Sequence, residues 1–471
     1  MEQKYDLLIV GAGPGGYIAA QKAARLGKSV LVVDKKEIGG TCVNRGCIST
    51  KALIHASMLY HEMKHCEEFG ISADHVKFDL QKIYEYKDHS AEIMREDLQG
   101  TFEKLNIRFV QGEATIHPNK KVHIKKADGT EEVCYGRNIL IATGAKPIYP
   151  NIPGVELDGV MTSEELLSSN ESQYEKLLIL GGGVIGLEIA TVFNALGTEV
   201  TVVEAADRLL PKMDKEFSDA LEEILTQRGI KIYKSTVLES IKEKDGLCCI
   251  FVAEGKQIKQ NVDAVLISVG RTANTEGLFS SDLPIKTERG KIIVDEFFMT
   301  SIPGIYAIGD VIEGIQLAHV ASAQASYVVE RMNNMEPTFM LDMVPSGLFV
   351  SMSIIPSCVY TDPEIASVGL SEEEARRHGV PVRCGTCVMS SNGQTIIRKE
   401  KIGLIKVVFA ADSDVLLGAQ MLCPRATDMI GEMATAIANG LTSRQLMYAM
   451  RAHPTFNEAV LEAVENSRKL R

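Results

Sequence analysis

The feature that most constrains this chain is a glycine turn that occurs twice in the same setting. The apolar run Asp6-Leu7-Leu8-Ile9-Val10 leads into Gly11-Ala12-Gly13-Pro14-Gly15-Gly16. A helical stretch follows from Tyr17 to Leu26, and a second apolar run, Ser29 to Val33, closes on Asp34. Leu177-Leu178-Ile179-Leu180 then leads into Gly181-Gly182-Gly183-Val184-Ile185-Gly186, a helical stretch to Leu196, and a run from Glu199 to Val203 closing on Glu204. The first glycines lie 170 positions apart (181 minus 11), and so do the acids (204 minus 34). Each unit reads as strand, turn, helix and strand, the opening of a nucleotide-binding βαβ fold. One such pattern alone is weak, but two in phase predict two nucleotide sites. Gly11, Gly13, Gly16 and Gly181, Gly183, Gly186 would let the backbone approach a pyrophosphate at a helix N-terminus, where amides and dipole favour anions. Asp34 and Glu204 would each hydrogen-bond a ribose. A carboxylate at Glu204 repels the 2′-phosphate of NADP, which predicts NAD.

At 471 residues the chain is long enough for about three domains. Smaller β stretches such as Lys121 to Ile124 and Val262 to Gly270 lie between and after the two units. From about Pro356 the pattern becomes α+β: strands Leu404 to Ala410 and Leu416 to Leu422 precede helices Asp428 to Asn439 and Ser443 to Met450. The expected fold is therefore α/β, with two Rossmann-like domains and an α+β C-terminal domain. A net charge of −12 and the absence of a basic run argue against nucleic acid. No stretch reaches about 18 apolar residues, so no membrane span is expected. The opening Met1-Glu2-Gln3-Lys4-Tyr5 runs straight into a strand, which predicts no targeting peptide and a cytoplasmic location. Ten cysteines are too sparse for a secreted disulfide scaffold.

Soon after the first unit comes Gly39-Gly40-Thr41-Cys42-Val43-Asn44-Arg45-Gly46-Cys47. In a straight helix five residues rise about 7.5 Å, whereas bridged cysteines want Cα atoms within about 7 Å. The segment must bend if the two bond, and Gly46 eases the bend. A reversibly opened disulfide, two free thiols and a metal pair all remain open, although no second ligand pair stands nearby. Near the other end, Arg451-Ala452-His453-Pro454-Thr455-Phe456-Asn457-Glu458 pairs a histidine with a carboxylate five residues on. Thiol–disulfide exchange needs a group that moves protons near neutral pH, and a histidine held by a carboxylate suits that.

Gly39 to Lys51 resembles the redox segment of the pyridine nucleotide-disulfide oxidoreductases, and the likeness runs through essentially the whole chain. Ala142-Thr143-Gly144 is similar to that family's flavin-domain closing turn, and Ala307-Ile308-Gly309-Asp310-Val311 to its second flavin motif. The resemblance implies FAD and NAD as cofactors, no metal, and a Cys42–Cys47 disulfide. Cys42 would exchange with substrate and Cys47 would lie against the flavin as a thiolate. Lys51 would sit near the flavin and pair with Glu188. Thr143, Gly144, Gly270 and Asp310 would join the cofactor sites, and His453–Glu458 would reach across a homodimer interface. The implied domains are 1–150 for FAD and the redox segment, 151–275 for NAD, 276–350 completing the FAD site, and 351–471 for dimerisation.

Within the family, Glu204 and the segment Ile355-Pro356-Ser357-Cys358-Val359-Tyr360-Thr361-Asp362-Pro363-Glu364 resemble the members that oxidise dihydrolipoamide. The end at Arg471 without a cysteine pair is unlike the mercury-reducing members. The implied partner is a lipoyl-bearing protein, either of a 2-oxoacid dehydrogenase complex or the glycine cleavage carrier. An NADH-dependent reductase of another small disulfide and a non-catalytic flavoprotein subunit are the alternatives. Three features depart from the pattern: Arg45, which replaces a commonly apolar residue; Arg451, where histidine is common; and a long, methionine-rich stretch from Met332 to Ile354. Cys384-Gly385-Thr386-Cys387 and Cys248-Cys249 read as structural thiols in strands.

Overall fold

Apolar runs buried on both faces form the parallel strands of two sheets, as expected for strands covered by helices. The computed structural model describes residues 3–168, 173–244, 246–338, 354–400 and 402–468. In the first sheet Gln3–Val10 lies parallel to Val30–Asp34 on one side and Glu131–Ile141 on the other, with Arg108–Gln111 beyond Val30–Asp34. The first half of Glu131–Ile141 pairs antiparallel with Lys121–Lys125, which pairs with Glu113–His117. Where Lys121–Lys125 ends, Ile305–Ala307 joins the second half of that strand in parallel, through Ile305↔Ile139 and Ala307↔Ile141. Ile305–Ala307 thus returns to the first sheet and brings Asp310 to its edge.

The second sheet is wholly parallel, in the order Lys231–Tyr233, Glu199–Val203, Lys176–Leu180, Ala264–Ile267, Val160–Thr162. A three-stranded antiparallel sheet, Leu238–Glu243, Leu247–Ala253 and Lys256–Val262, packs against it. Cys248 and Cys249 are both buried, because Leu247–Ala253 is covered on two faces there instead of alternating.

The C-terminal part is a five-stranded antiparallel sheet, Ser357–Val359, Ile365–Gly369, Leu416–Leu422, Leu404–Ala410 and Val382–Val388. Helices Ala426–Ala438 and Glu458–Asn466 cover one face through Met429, Met433, Ile437, Val460 and Val464. It is fastened to the second sheet's unit by a buried lysine. Lys406 Nζ sits 2.6 Å from Glu372 and 3.3 Å from Asp214, and it also pairs with Glu216. Three carboxylates around one ammonium keep that charge paired, which a buried ion requires. Cys384 and Cys387, three apart in Val382–Val388, point to opposite faces and into two different apolar clusters. They cannot bond to each other, and burial pushes both thiols up to about 12.

Candidate active site

The two glycine turns repeat each other hydrogen bond for hydrogen bond. Ala12 N donates to Asp34 Oδ2 at 2.7 Å, and Gly182 N donates to Glu204 Oε2 at 2.6 Å. Lys36 N donates to Asp34 Oδ1 at 2.8 Å, and Ala206 N to Glu204 Oε1 at 2.6 Å. Each acid is locked at its strand end beside its own turn. Gly11 and Gly181 have φ of +108° and +112°, and added Cβ atoms would lie 2.2 Å from Ala142 O and 2.6 Å from Ser268 O. Both the backbone hand and the crowding exclude a side chain. The same crowding sets Ala142-Thr143 against the first turn and Ser268 against the second. Gly13 and Gly183 are the N-caps of helices Pro14–Arg25 and Val184–Ala195, and Gly16 and Gly186 are buried in their first turns.

The first site fits a flavin dinucleotide. Thr143 Oγ1 is buried with no hydrogen-bond partner, and nothing lies within 4 Å of where a Cβ on Gly144 would project. Burial holds the Asp310 carboxyl above its ordinary value, against the pull of Arg271. An orphaned hydroxyl, an open edge and a half-hidden acid converge where three strand ends of the first sheet meet. The second site offers the same turn, and nothing lies within 4 Å of a Cβ on Gly183, which suits the dinucleotide NAD.

The cysteine segment is bent where the spacing required it. Helix Gly40–Arg45 stops at Gly46, whose φ and ψ are −149° and −114°, and helix Cys47–Lys64 begins at once. A Cβ on Gly46 would lie 2.8 Å from Thr41 O and 3.3 Å from the Cα of Cys42, so the break folds Cys47 back onto Cys42. Both cysteines are free thiols set side by side by the bend. The neighbouring Cys47 sulfur first, and then burial, hold the Cys42 thiol above its ordinary value. The neighbouring Cys42 thiol holds Cys47 below its ordinary value, with the Lys51 charge helping against burial.

Three chain regions meet just behind the pair. Lys51, one helical turn after Cys47, places Nζ 2.8 Å and 2.9 Å from the two carboxylate oxygens of Glu188. Glu188 is buried on helix Val184–Ala195 and also accepts from Tyr360 N at 3.1 Å. The ammonium stands 4.4 Å from the Tyr360 ring centroid. The first unit, the second unit and the segment that opens the C-terminal sheet are thereby joined at one half-buried charge pair close to Cys47.

Several neighbours carry no signal in the sequence. Tyr17 lies close enough to Cys42 and Cys47 to feel their charge, and burial chiefly pushes its phenol up to about 12. Asn44 donates to Ile38 O at 3.0 Å and Gly40 O at 2.8 Å, and accepts from Arg95 at 2.8 Å. Glu164 accepts from Arg271 at 2.8 Å and faces Thr41 Oγ1 at 3.5 Å, linking the residue before Cys42 to the edge of the second unit. Arg45 pairs with Glu37. Most of the methionine-rich stretch, 339–353, lies outside the described residues.

His453 Nδ1 lies 2.9 Å from Glu458 Oε1, and Glu458 Oε2 accepts from Thr455 N at 2.9 Å. Both bonds hold the Glu458 carboxyl below its ordinary value, the Thr455 amide first. The histidine side chain is 77% exposed on the C-terminal unit, and its hydrogen bond stays within its own segment. Within one chain it is not brought to the thiols.

The sequence signature of the pyridine nucleotide-disulphide oxidoreductases matches residues 5–325, and that of the same family's dimerisation domain matches residues 355–464. The chain belongs to this family and is an FAD-dependent, NAD-linked disulfide oxidoreductase. Its relatives include the dihydrolipoyl dehydrogenase of Geobacillus stearothermophilus, 35% identical over 98% of this chain and 95% of the relative. The mitochondrial dihydrolipoyl dehydrogenase of Dictyostelium discoideum is also 35% identical, over 98% and 94%. Among solved structures, the HOCl-induced flavoprotein disulfide reductase RclA from Escherichia coli superposes with a TM-score of 0.84 at 26% identity, covering 99% of this chain and all 100% of that one. Among the described residues no helix is long and apolar enough to cross a membrane.

Proposed function

We propose that this protein oxidises the dihydrolipoamide arm of a lipoyl-bearing protein to lipoamide and reduces NAD+ to NADH. The observation that carries the chemistry is the break at Gly46, which folds Cys47 back onto Cys42 with the Lys51–Glu188 pair one helical turn on. The substrate class rests on relatives that share about a third of their residues over nearly the whole chain.

In the oxidised form of the pair, a substrate thiol gives its proton to His453, which releases it to solvent, and attacks Cys42 Sγ. The Cys42–Cys47 bond breaks and Cys47 leaves as the thiolate that its surroundings favour. The second substrate thiol gives its proton to His453, whose charge Glu458 balances, and attacks the substrate sulfur bound to Cys42. Lipoamide closes and departs, and Cys42 leaves as a thiolate that takes up the proton from His453. Asp34, Thr143, Gly144 and Asp310 at the first turn would hold FAD, which would supply the acceptor for the electron pair released as the Cys42–Cys47 disulfide re-forms. Glu204 and Gly270 at the second would hold NAD+, the final hydride acceptor. Lys51 and Glu188 fix helix Cys47–Lys64 behind the thiols.

The exposed dyad supports a homodimer in which His453 and Glu458 of one copy face the thiols of the other, and the match to the dimerisation domain supports the same assembly. The domain limits 1–150, 151–275, 276–350 and 351–471 follow from this reading. Ten cysteines in 471 residues, too sparse for a secreted disulfide scaffold, suit a reducing, cytoplasmic setting. A substrate panel tests the proposal. NADH formation from dihydrolipoamide and NAD+ should exceed NADH-driven reduction of glutathione disulfide or coenzyme A disulfide by orders of magnitude. The reverse ranking would identify a reductase of another small disulfide, and flavin without any thiol-dependent turnover a non-catalytic subunit.

A further inference from the structure

We propose that Arg451 and Glu432 are positioning residues for the His453–Glu458 pair, acting as a buried ionic clamp on the loop that carries it. The inference rests on the reading of that pair as the acid–base group. The loop runs from the end of helix Ser443–Tyr448 to the start of helix Glu458–Asn466 and contains no helix or strand. Its histidine is exposed, so within the chain the ring is oriented by its hydrogen bond to Glu458 and by the backbone that sets the two residues facing each other.

Glu432, on helix Ala426–Ala438, holds that backbone at both ends. One carboxylate oxygen lies 2.5 Å from an Arg451 guanidinium nitrogen, two residues before His453. The other accepts from Asn457 Nδ2 at 3.4 Å, one residue before Glu458. The second terminal nitrogen of Arg451 donates to Leu446 O at 3.2 Å and Ala449 O at 3.0 Å, satisfying carbonyls left open where helix Ser443–Tyr448 ends. Arg451 is 5% exposed, and its Nε is buried without a partner. A guanidinium so hidden needs its counter-charge, and its two arms serve different partners, which a single ammonium cannot do. Inside this frame, Thr455 Oγ1 donates to Ala452 O at 2.7 Å and Asn392 Nδ2 to Thr455 O at 2.9 Å. The arginine that departs from the commoner histidine thus has a geometric task of its own.

The test uses the FAD-loaded dimer of Glu432→Gln, which keeps shape and loses charge, and Arg451→Lys, which keeps charge and loses the fork. Each variant should lower kcat for dihydrolipoamide oxidation by about 10- to 100-fold, the scale on which small misplacements of a reacting group are felt. The KM for NAD+ should stay at its original value. Reduction by NADH, which does not need the dyad, should still give a long-wavelength band of full amplitude. Unchanged kcat in both variants would overturn the clamp. So would a parallel loss of flavin, NAD+ affinity and band, which would mean a general structural role. A His453→Gln control separates the two readings: if it too is fully active, the acid–base reading has failed and not only the clamp.

Discussion

Cys47→Ser will lose dihydrolipoamide oxidation by at least roughly 10³-fold, the scale on which losing a covalent nucleophile is felt, while the protein stays yellow. The loss follows from chemistry: a serine oxygen can neither close a disulfide nor carry a thiolate. The retained flavin follows from structure, because the glycine turn, Asp34 and the closing turn at Thr143 are built from other residues. Cys42→Ser should lose turnover equally but differ in colour. In the native pair Cys47 is the member whose pKa is lowered, first by the Cys42 thiol and then by the Lys51 charge. A serine hydroxyl can still donate to it and Lys51 is untouched, so its thiolate should persist and give a long-wavelength band with the flavin. The sign of the pH dependence is set by that lowering. The thiolate is present above the lowered pKa, so the band should survive to lower pH than an ordinary thiol allows and fade as pH falls further. Absorption spectra of both variants across pH, with steady-state rates, check the whole set. A Cys42→Ser protein with no band, beside a Cys47→Ser protein that has one, would reverse the assignment.

His453→Gln should cost about 10² to 10⁴ in kcat for dihydrolipoamide oxidation, the range that a positioned acid–base group contributes. Glutamine keeps a polar side chain of similar reach but cannot move the proton. The lowered pKa of Glu458 means that its carboxylate is already charged across the neutral range and stands ready to balance an imidazolium. Flavin reduction by NADH should proceed at its original rate, since that half of the reaction does not pass a proton through His453. The effect should also cross the dimer. Mixing His453→Gln protomers with Cys47→Ser protomers should restore one working site per mixed dimer if the histidine serves the partner's thiols. Two inactive variants that never complement would place the dyad's work within one chain.

The most legible part of this molecule was the part that repeats. Two turns in phase, with acids at equal distance, sufficed to anticipate two matching strand–turn–helix–strand units. The four amide hydrogen bonds that lock Asp34 and Glu204 beside their turns were not legible, because the sequence pattern assigned those acids only a ribose. Strands Leu404–Ala410 and Leu416–Leu422 were equally plain, because each is a buried apolar run of one strand's length. The helix expected from Tyr17 begins instead at Pro14, since proline is pre-set for a first helical position and its missing N–H is lost there anyway. Contacts across long stretches of chain were less accessible. The Lys51–Glu188 pair was reached only through the family resemblance, because its members stand 137 positions apart. Arg95 on Asn44 and Tyr360 against Lys51 had no local pattern at all. Ile305–Ala307 is only three residues long, too short to reveal that it returns to the first sheet. The bend at Gly46 was foreseen because a straight helix could not bring Cys42 and Cys47 together, and the structure resolves the geometry in that way.

The central claim is that dihydrolipoamide reduces this protein through Cys42 and Cys47. Anaerobic titration of the purified flavoprotein with dihydrolipoamide, followed by absorbance, tests it most directly. The account predicts a long-wavelength thiolate–flavin band that saturates near one dithiol per flavin and gives way to NADH when NAD+ is added. A flavin that ignores dihydrolipoamide yet is reduced by NADH would contradict it, leaving the family intact and the substrate wrong.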